Sequence, residues 1–169
     1  VVCSGAIAYQ GPFTAHCRGE LNEKWVAKVK SLGILASELP TVAAVLGDPV
    51  TIREWGIAGL PMDVLSIENA LFVTKSRRWP LMIDPQAQAN RWLRKMLEKD
   101  GLLTSTMTDI NLLRVLENGI RNGKPLLIED VHESIEPALE PVLAKAIFTE
   151  GARCLIRLGD SNVDYDDLF

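Results

Sequence analysis

The sequence predicts an α/β fold: a mostly parallel sheet flanked by helices. Three observations carry that expectation. Short apolar runs of strand length, such as Leu126-Leu127-Ile128, alternate with stretches of helical periodicity. Gly, Pro and Asp punctuate the boundaries between them. Of the 169 residues 47% are apolar, enough to build a core in one domain of ordinary size. Strands separated by helices of this length imply right-handed crossovers and parallel pairing.

Along the chain, residues 20–32 place Leu21, Trp25, Val29 and Leu32 on one helical stripe, and Gly33 follows as a stop. Residues 34–68 read as a long irregular connection, with Leu46-Gly47-Asp48-Pro49 and Gly59-Leu60-Pro61-Met62-Asp63 as turns. So long a connection is unusual in a compact domain and suggests a segment packed along another surface. Residues 69–169 then carry the α/β rhythm. Ala70-Leu71-Phe72-Val73-Thr74 reads as a short strand and Leu81-Met82-Ile83 as a second. A helix from Gln88 to Glu98 uses Trp92, Leu93, Met96 and Leu97. A weak strand near Leu102–Thr104 precedes a helix capped at Thr108 or Asp109, with Leu112, Leu113, Leu116 and Ile120 inward and Gly123 at its end. Leu126–Ile128 is a buried strand. Pro137 opens a further helix carrying Leu139, Val142, Leu143 and Ala146, at the first-turn position that proline prefers. Arg153–Leu158 alternates as a last strand.

Charge and cysteine usage exclude several classes. The net charge is −4, with Lys and Arg scattered, which argues against a nucleic-acid groove or an anionic membrane surface. No apolar stretch approaches the ~20 residues needed to span a bilayer. The apolar start, Val1 to Ala6, lacks a basic n-region and an initiating Met and reads as the cut end of something larger. Cys3, Cys17 and Cys154 are odd in number and lack C-x-x-C spacing, so idle thiols in a reducing compartment are expected, with no metal site. Trp25, Trp55, Trp79 and Trp92 are expected in packing roles.

In a parallel α/β sheet, ligands sit where a strand runs through a loop into a helix N-terminus. Leu81 to Trp92 has that form. Against the phosphate-binding pattern G-x-x-x-x-G-K-[ST], Ala87 and Ala89 stand where glycines are expected, and Asn90-Arg91 replace Lys-[ST]. A Cβ opposes the backbone path of such a loop by about 1–2 kcal/mol per residue. The missing lysine removes a charge-assisted bond of roughly 1.5–3 kcal/mol. Together the deficit is on the order of 3–5 kcal/mol, about a thousandfold in affinity. A Mg²⁺-ligating hydroxyl is lost as well. Arg91 could replace the lysine, although its planar head suits a different geometry. Asp84, Pro85, Gln86, Ala87, Gln88, Ala89, Asn90 and Arg91 are thus the candidate residues of a degenerate, empty phosphate loop.

Leu126-Leu127-Ile128-Glu129-Asp130 has the form of a Walker B strand, in which the first carboxylate would hold the Mg²⁺ shell and the second orient water. The order here is Glu then Asp, and two structural carboxylates at the sheet edge are the competing reading. Gly123-Lys124 mimics the end of a phosphate loop, but it precedes a strand instead of following one. His132 beside Glu133 has no zinc spacing, and Ser4, Ser66 and Ser134 lack a hydrolase setting. No catalytic residue and no metal ligand is assigned.

These residues carry a family resemblance. Leu46-Gly47-Asp48-Pro49, Trp55, Gly59-Leu60-Pro61, Asp63 and Ser66-Ile67-Glu68-Asn69, followed by Arg78 to Ala89, closely resemble the fifth AAA+ module of dynein heavy chains. Leu116-Glu117-Asn118, Gly123 to Asp130, Gly159-Asp160 and Val163-Asp164-Tyr165 continue the match. Gly11-Pro12-Phe13-Thr14 resembles the segment that enters this module after the returning strand of the microtubule-binding stalk.

The resemblance implies an AAA+ P-loop NTPase-like large subdomain. Residues 1–33 would form a leading helical segment after the stalk, 34–68 the long connection, and 69–169 a degenerate core lacking the sensor-1 strand and lid. In AAA+ sheets that strand lies centrally, so apolar edges and low stability in isolation are expected. The resemblance further implies a structural member of a six-module ring, with ATP and Mg²⁺ used by the whole motor and none bound here. Neighbouring modules and, through the stalk, the microtubule are the implied partners, with no nucleic acid and no membrane. The implied location is cytoplasmic and cytoskeletal, in a ciliary or flagellar axoneme. Two other readings stay open from the residues: an ATPase with an atypical phosphate loop, and an adaptor that binds a partner through 34–68.

Overall fold

The computed structural model describes residues 2–37 and 41–169, so Val1 and residues 38–40 of the expected connection lie outside the described residues. The chain divides into two compact units, one ending at Leu93 and the other beginning at Arg94. Together they make a mixed α/β chain of the partial AAA+ kind, and among the described residues the strands all fall in the second unit.

The first unit is helical. Helix α1 spans Val2–Tyr9 and α2 Ala15–Ser31. Thr14 starts α2 by accepting from the Cys17 amide at 3.4 Å, and Gly33 ends the turn beyond it in a left-handed conformation, φ 72°. Leu21, Trp25 and Val29 of the expected stripe are half-buried and the neighbouring Val26 is buried, whereas Leu32, at the end of the helix, is exposed.

The described part of the expected irregular connection is mostly helix. It contains α3 (Val42–Leu46), α4 (Pro49–Ile57) and the start of α5 (Val64–Lys75). Its turn residues are helix starts. Thr41 accepts from the Ala44 amide at 3.1 Å. Asp48 accepts from the Thr51 amide at 2.9 Å, with Pro49 at the first helical position. Asp63 accepts from the Ser66 amide at 3.0 Å. Helix α5 also corrects the expected strand at 70–74. Ala70, Leu71 and Phe72 are all buried in succession, and so apolar a run cannot distinguish a strand from a helix buried nearly all round.

The second expected strand, Leu81–Ile83, is extended but belongs to no ladder among the described residues. Leu81 and Ile83 are 76% and 94% exposed, and only Met82 between them is half-buried. Helix α6, Gln88–Met96, follows as expected and buries Trp92 and Leu93. The Trp92 ring meets Trp55 edge to face at 5.8 Å between centroids.

In the second unit β1 (Leu103–Thr106) and β2 (Leu126–Glu129) pair in parallel, from Leu103 against Leu126 to Thr106 against Glu129. Helix α7, Leu112–Arg121, crosses between them and buries Leu112, Leu116 and Ile120. It starts three residues after Asp109, whose carboxylate accepts from the Asn111 amide at 2.8 Å, and Gly123 (φ 59°) turns the chain back into β2. Pro137 opens a 3-10 turn (Pro137–Leu139) running into α8 (Glu140–Leu143), shorter than expected. The parallel pair is joined by an antiparallel sheet that the strand–helix rhythm does not foretell. In it β3 (Ile147–Glu150), β4 (Arg153–Leu158) and β5 (Ser161–Asp164) lie in the order β3-β4-β5. Leu112, Leu116, Ile120, Leu139, Val142, Ile156, Leu158 and Val163 form the core of this unit.

Candidate functional site

The loop before α6 is organised by Asp84. Its backbone carbonyl accepts from the Ala87 amide at 3.1 Å. Its carboxylate bends over the first turn of the helix, one oxygen accepting from the Gln88 amide at 2.8 Å and the other from the Asn90 amide at 2.9 Å. Those amides are the groups that a helix N-terminus offers to an anion, and here a side chain of the same loop takes them. Ala87 adopts φ 55°, the left-handed region that a glycine would occupy without strain.

Arg91 turns back on the loop. Its Nε donates to the Ala87 carbonyl at 3.1 Å and its Nη2 to the Gln86 carbonyl at 3.4 Å. Gln88 donates from its side-chain amide to Gln86 Oε1 at 2.9 Å. The eight residues 84–91 are therefore brought together as one loop–helix junction, Ala89 and Asn90 half-buried and Pro85 to Gln88 exposed.

In the second unit Glu129 closes β2 and Asp130 follows in a left-handed conformation, φ 52°. The Glu129 carboxylate receives Arg94 Nη2 at 2.7 Å, an ion pair that is half-exposed on the arginine side. Its backbone carbonyl accepts from the Met107 amide at 3.2 Å, extending the β1–β2 register. Sequence reasoning passed over Arg94, because nothing in the spacing ties residue 94 to residue 129. Arg18 was missed as well. It lies one turn before Leu21 and Asn22 on the inward stripe of α2, and extending that stripe backwards would have found it.

Elsewhere the chemistry is sparse. Cys3 is buried, Cys17 and Cys154 are exposed, and all three are free. Among the described residues no cluster of His, Cys, Asp or Glu is placed to hold a metal ion, and no helix is long and apolar enough to cross a membrane. His16 lies 3.4 Å from Glu20 on the exposed face of α2.

Residues 53–169 match the family described as the ATP-binding dynein motor region. Over 168 residues the chain is 51% identical to human dynein axonemal heavy chain 6, covering 99% of this chain and 4% of that protein. It is 45% identical over 170 residues to the Chlamydomonas reinhardtii dynein-1-beta heavy chain of the flagellar inner arm I1 complex, with 98% of this chain and 4% of that one covered. It is 44% identical over 169 residues to rat dynein axonemal heavy chain 1, over its whole length and 4% of the relative. The chain thus spans a small fraction of the relatives it matches, and it belongs to the dynein heavy-chain family, within the AAA+ motor region.

Proposed function

We propose that this chain is the fifth AAA+ module of a dynein motor and works as a structural, non-hydrolysing member that passes rigid-body motion between its neighbours. The observation that carries this reading is the Asp84 carboxylate on the Gln88 and Asn90 amides. An ATP phosphate tail does not fit that donor set. The carboxylate would repel the phosphate, residues 90–91 supply no Lys-[ST] pair, and Arg91 is engaged with the Gln86 and Ala87 carbonyls. The scaffold is kept while the phosphate chemistry is lost, as a mechanical part requires.

The partners proposed are the adjoining modules of the same heavy chain and, through the stalk, a microtubule. The proposed setting is a ciliary or flagellar axoneme, in line with the axonemal and flagellar names of the relatives. ATP and Mg²⁺ act elsewhere in the motor. Equilibrium binding of labelled ATP and ADP to the full-length heavy chain, before and after changing Asn90 or Arg91, tests the reading. Identical stoichiometry is expected. One nucleotide per chain lost on either substitution would overturn it.

A further inference from the structure

Two motifs remain unexplained by the silent phosphate loop: Gly11-Pro12-Phe13-Thr14 between α1 and α2, and Ser66-Ile67-Glu68-Asn69 in α5. The structure joins them through one side chain. Arg18, in the first turn of α2, is 5% exposed, although it carries a charge. Its Nε donates to the carbonyls of Gln10 (3.1 Å) and Phe13 (3.0 Å), and Nη2 donates to that of Gly11 (3.0 Å). The same Nη2 donates to Asn69 Oδ1 at 2.7 Å, and Nη1 lies 3.2 Å from Glu68 Oε2. The guanidinium carbon stands 4.9 Å from the centre of the Phe72 ring.

One planar cation therefore holds the turn that joins α1 to α2 on one side and a carboxylate, an amide and an aromatic face of α5 on the other. Glu68 and Asn69 lie 50 and 51 residues beyond Arg18 in sequence. Helix α1 also packs on α2, α3 and α5. A buried charge is stable only while paired and hydrogen-bonded, so the turn and α5 cannot separate without stranding the guanidinium. A lysine in its place would offer one compact head, unable to reach both sides in the geometry of the fork.

We propose that Arg18 is a positioning residue that makes the α1–α2 hairpin and α5 a single body, so that displacement arriving along α2 is delivered to α5 instead of being absorbed in the turn. This rests on the coupling role proposed above. It assigns that role to a particular joint, and it gives both motifs one purpose: the first supplies carbonyls and the second supplies the carboxylate and amide.

The test is hydrogen exchange by mass spectrometry on the full-length heavy chain, read in peptides covering 10–18 and 64–75. In the unaltered chain both peptides should open together. Arg18→Ala should speed exchange in both by about a hundredfold or more, the size expected when a buried pair loses one partner. Glu68→Gln combined with Asn69→Ala should do the same and add little to Arg18→Ala, because all three act at one joint. Arg18→Lys keeps the charge and should fold while losing part of the protection. In microtubule gliding it should lower the distance moved per ATP hydrolysed, with turnover retained.

Acceleration confined to the 10–18 peptide, additive effects of the two sets of substitutions, or unchanged coupling of movement to hydrolysis in Arg18→Lys would each overturn the proposal. Nucleotide bound at 84–91 would instead sink the non-hydrolysing reading and leave the exchange result standing.

Discussion

Asp84 makes two charge-assisted bonds to the first turn of α6, and removing it leaves two amides of that turn to water. Asp84→Ala should cost about 1 kcal/mol, the usual loss for a helix-capping side chain. Asp84→Asn, which keeps one good acceptor, should cost less. Urea unfolding followed by tryptophan fluorescence would register the loss, because Trp92 lies on the same helix. The absence of glycines and lysine was legible residue by residue in 84–91. The part played by Asp84 was not, since it depends on how the loop turns to bring residue 84 over the amides of residues 88 and 90. Spacing along a chain says which groups are missing from a site more readily than which group has taken their place.

At the scale of elements, the residues read as irregular between 41 and 63 are the starts of three helices. Thr41, Asp48 and Asp63 each stand just before a helix and accept from an amide three residues on. A turn signal and a cap signal use the same residue types, and only the periodicity that follows separates them; α3 and α4 are too short to display it. The two hairpins of the antiparallel sheet were missed although they carry a readable sign. Gly151-Ala152 and Gly159-Asp160 are two-residue loops with left-handed glycines, φ 63° and 58°, between paired ends. The caps have a pH consequence. Hydrogen bonds from the side chain and backbone of Ser66 hold the Asp63 carboxyl below the usual 3.8, and the Thr51 backbone and side chain do the same for Asp48. A carboxyl whose folded value is depressed adds stability above its unfolded value and loses it as pH falls through the folded one. Helices α4 and α5 should therefore hold their capped starts at neutral pH and fray progressively below about pH 3.8. Amide chemical shifts of Thr51 and Ser66 across an acid titration would show it. Asp48→Asn and Asp63→Asn should flatten the response at their own helices alone.

Across the whole molecule, the α/β class and the β1–α7–β2 crossover were legible because apolar runs and an amphipathic helix alternate over 103–129 with clear stops. The exposed state of Leu81 and Ile83 was not legible, since strand character is conferred by a neighbour and not by the segment itself. The second unit depends on a core in which Ile120, Ile156 and Val163 have no accessible surface. Ile156→Ala should cost about 2–5 kcal/mol, seen as a lowered urea midpoint with the slope retained. Glu129 stands on the same unit at the place where a Walker B carboxylate would assist hydrolysis, and it decides between a working and a mechanical module. In a working site its loss would take a carboxylate from the Mg²⁺ shell and lower the rate by on the order of 10²-fold or more. Here the carboxylate is paired with Arg94 at 2.7 Å, a partly exposed contact whose loss should cost about 0–1 kcal/mol. Glu129→Gln keeps the shape and an acceptor for the arginine, so the substitution tests charge alone. In the full-length heavy chain, microtubule-stimulated ATP turnover should then stay within about twofold of the unaltered motor, well inside the range that separates a positioning carboxylate from a catalytic one. A fall of a hundredfold would make this module a hydrolysing one, and the Arg94 contact a resting state of its active site.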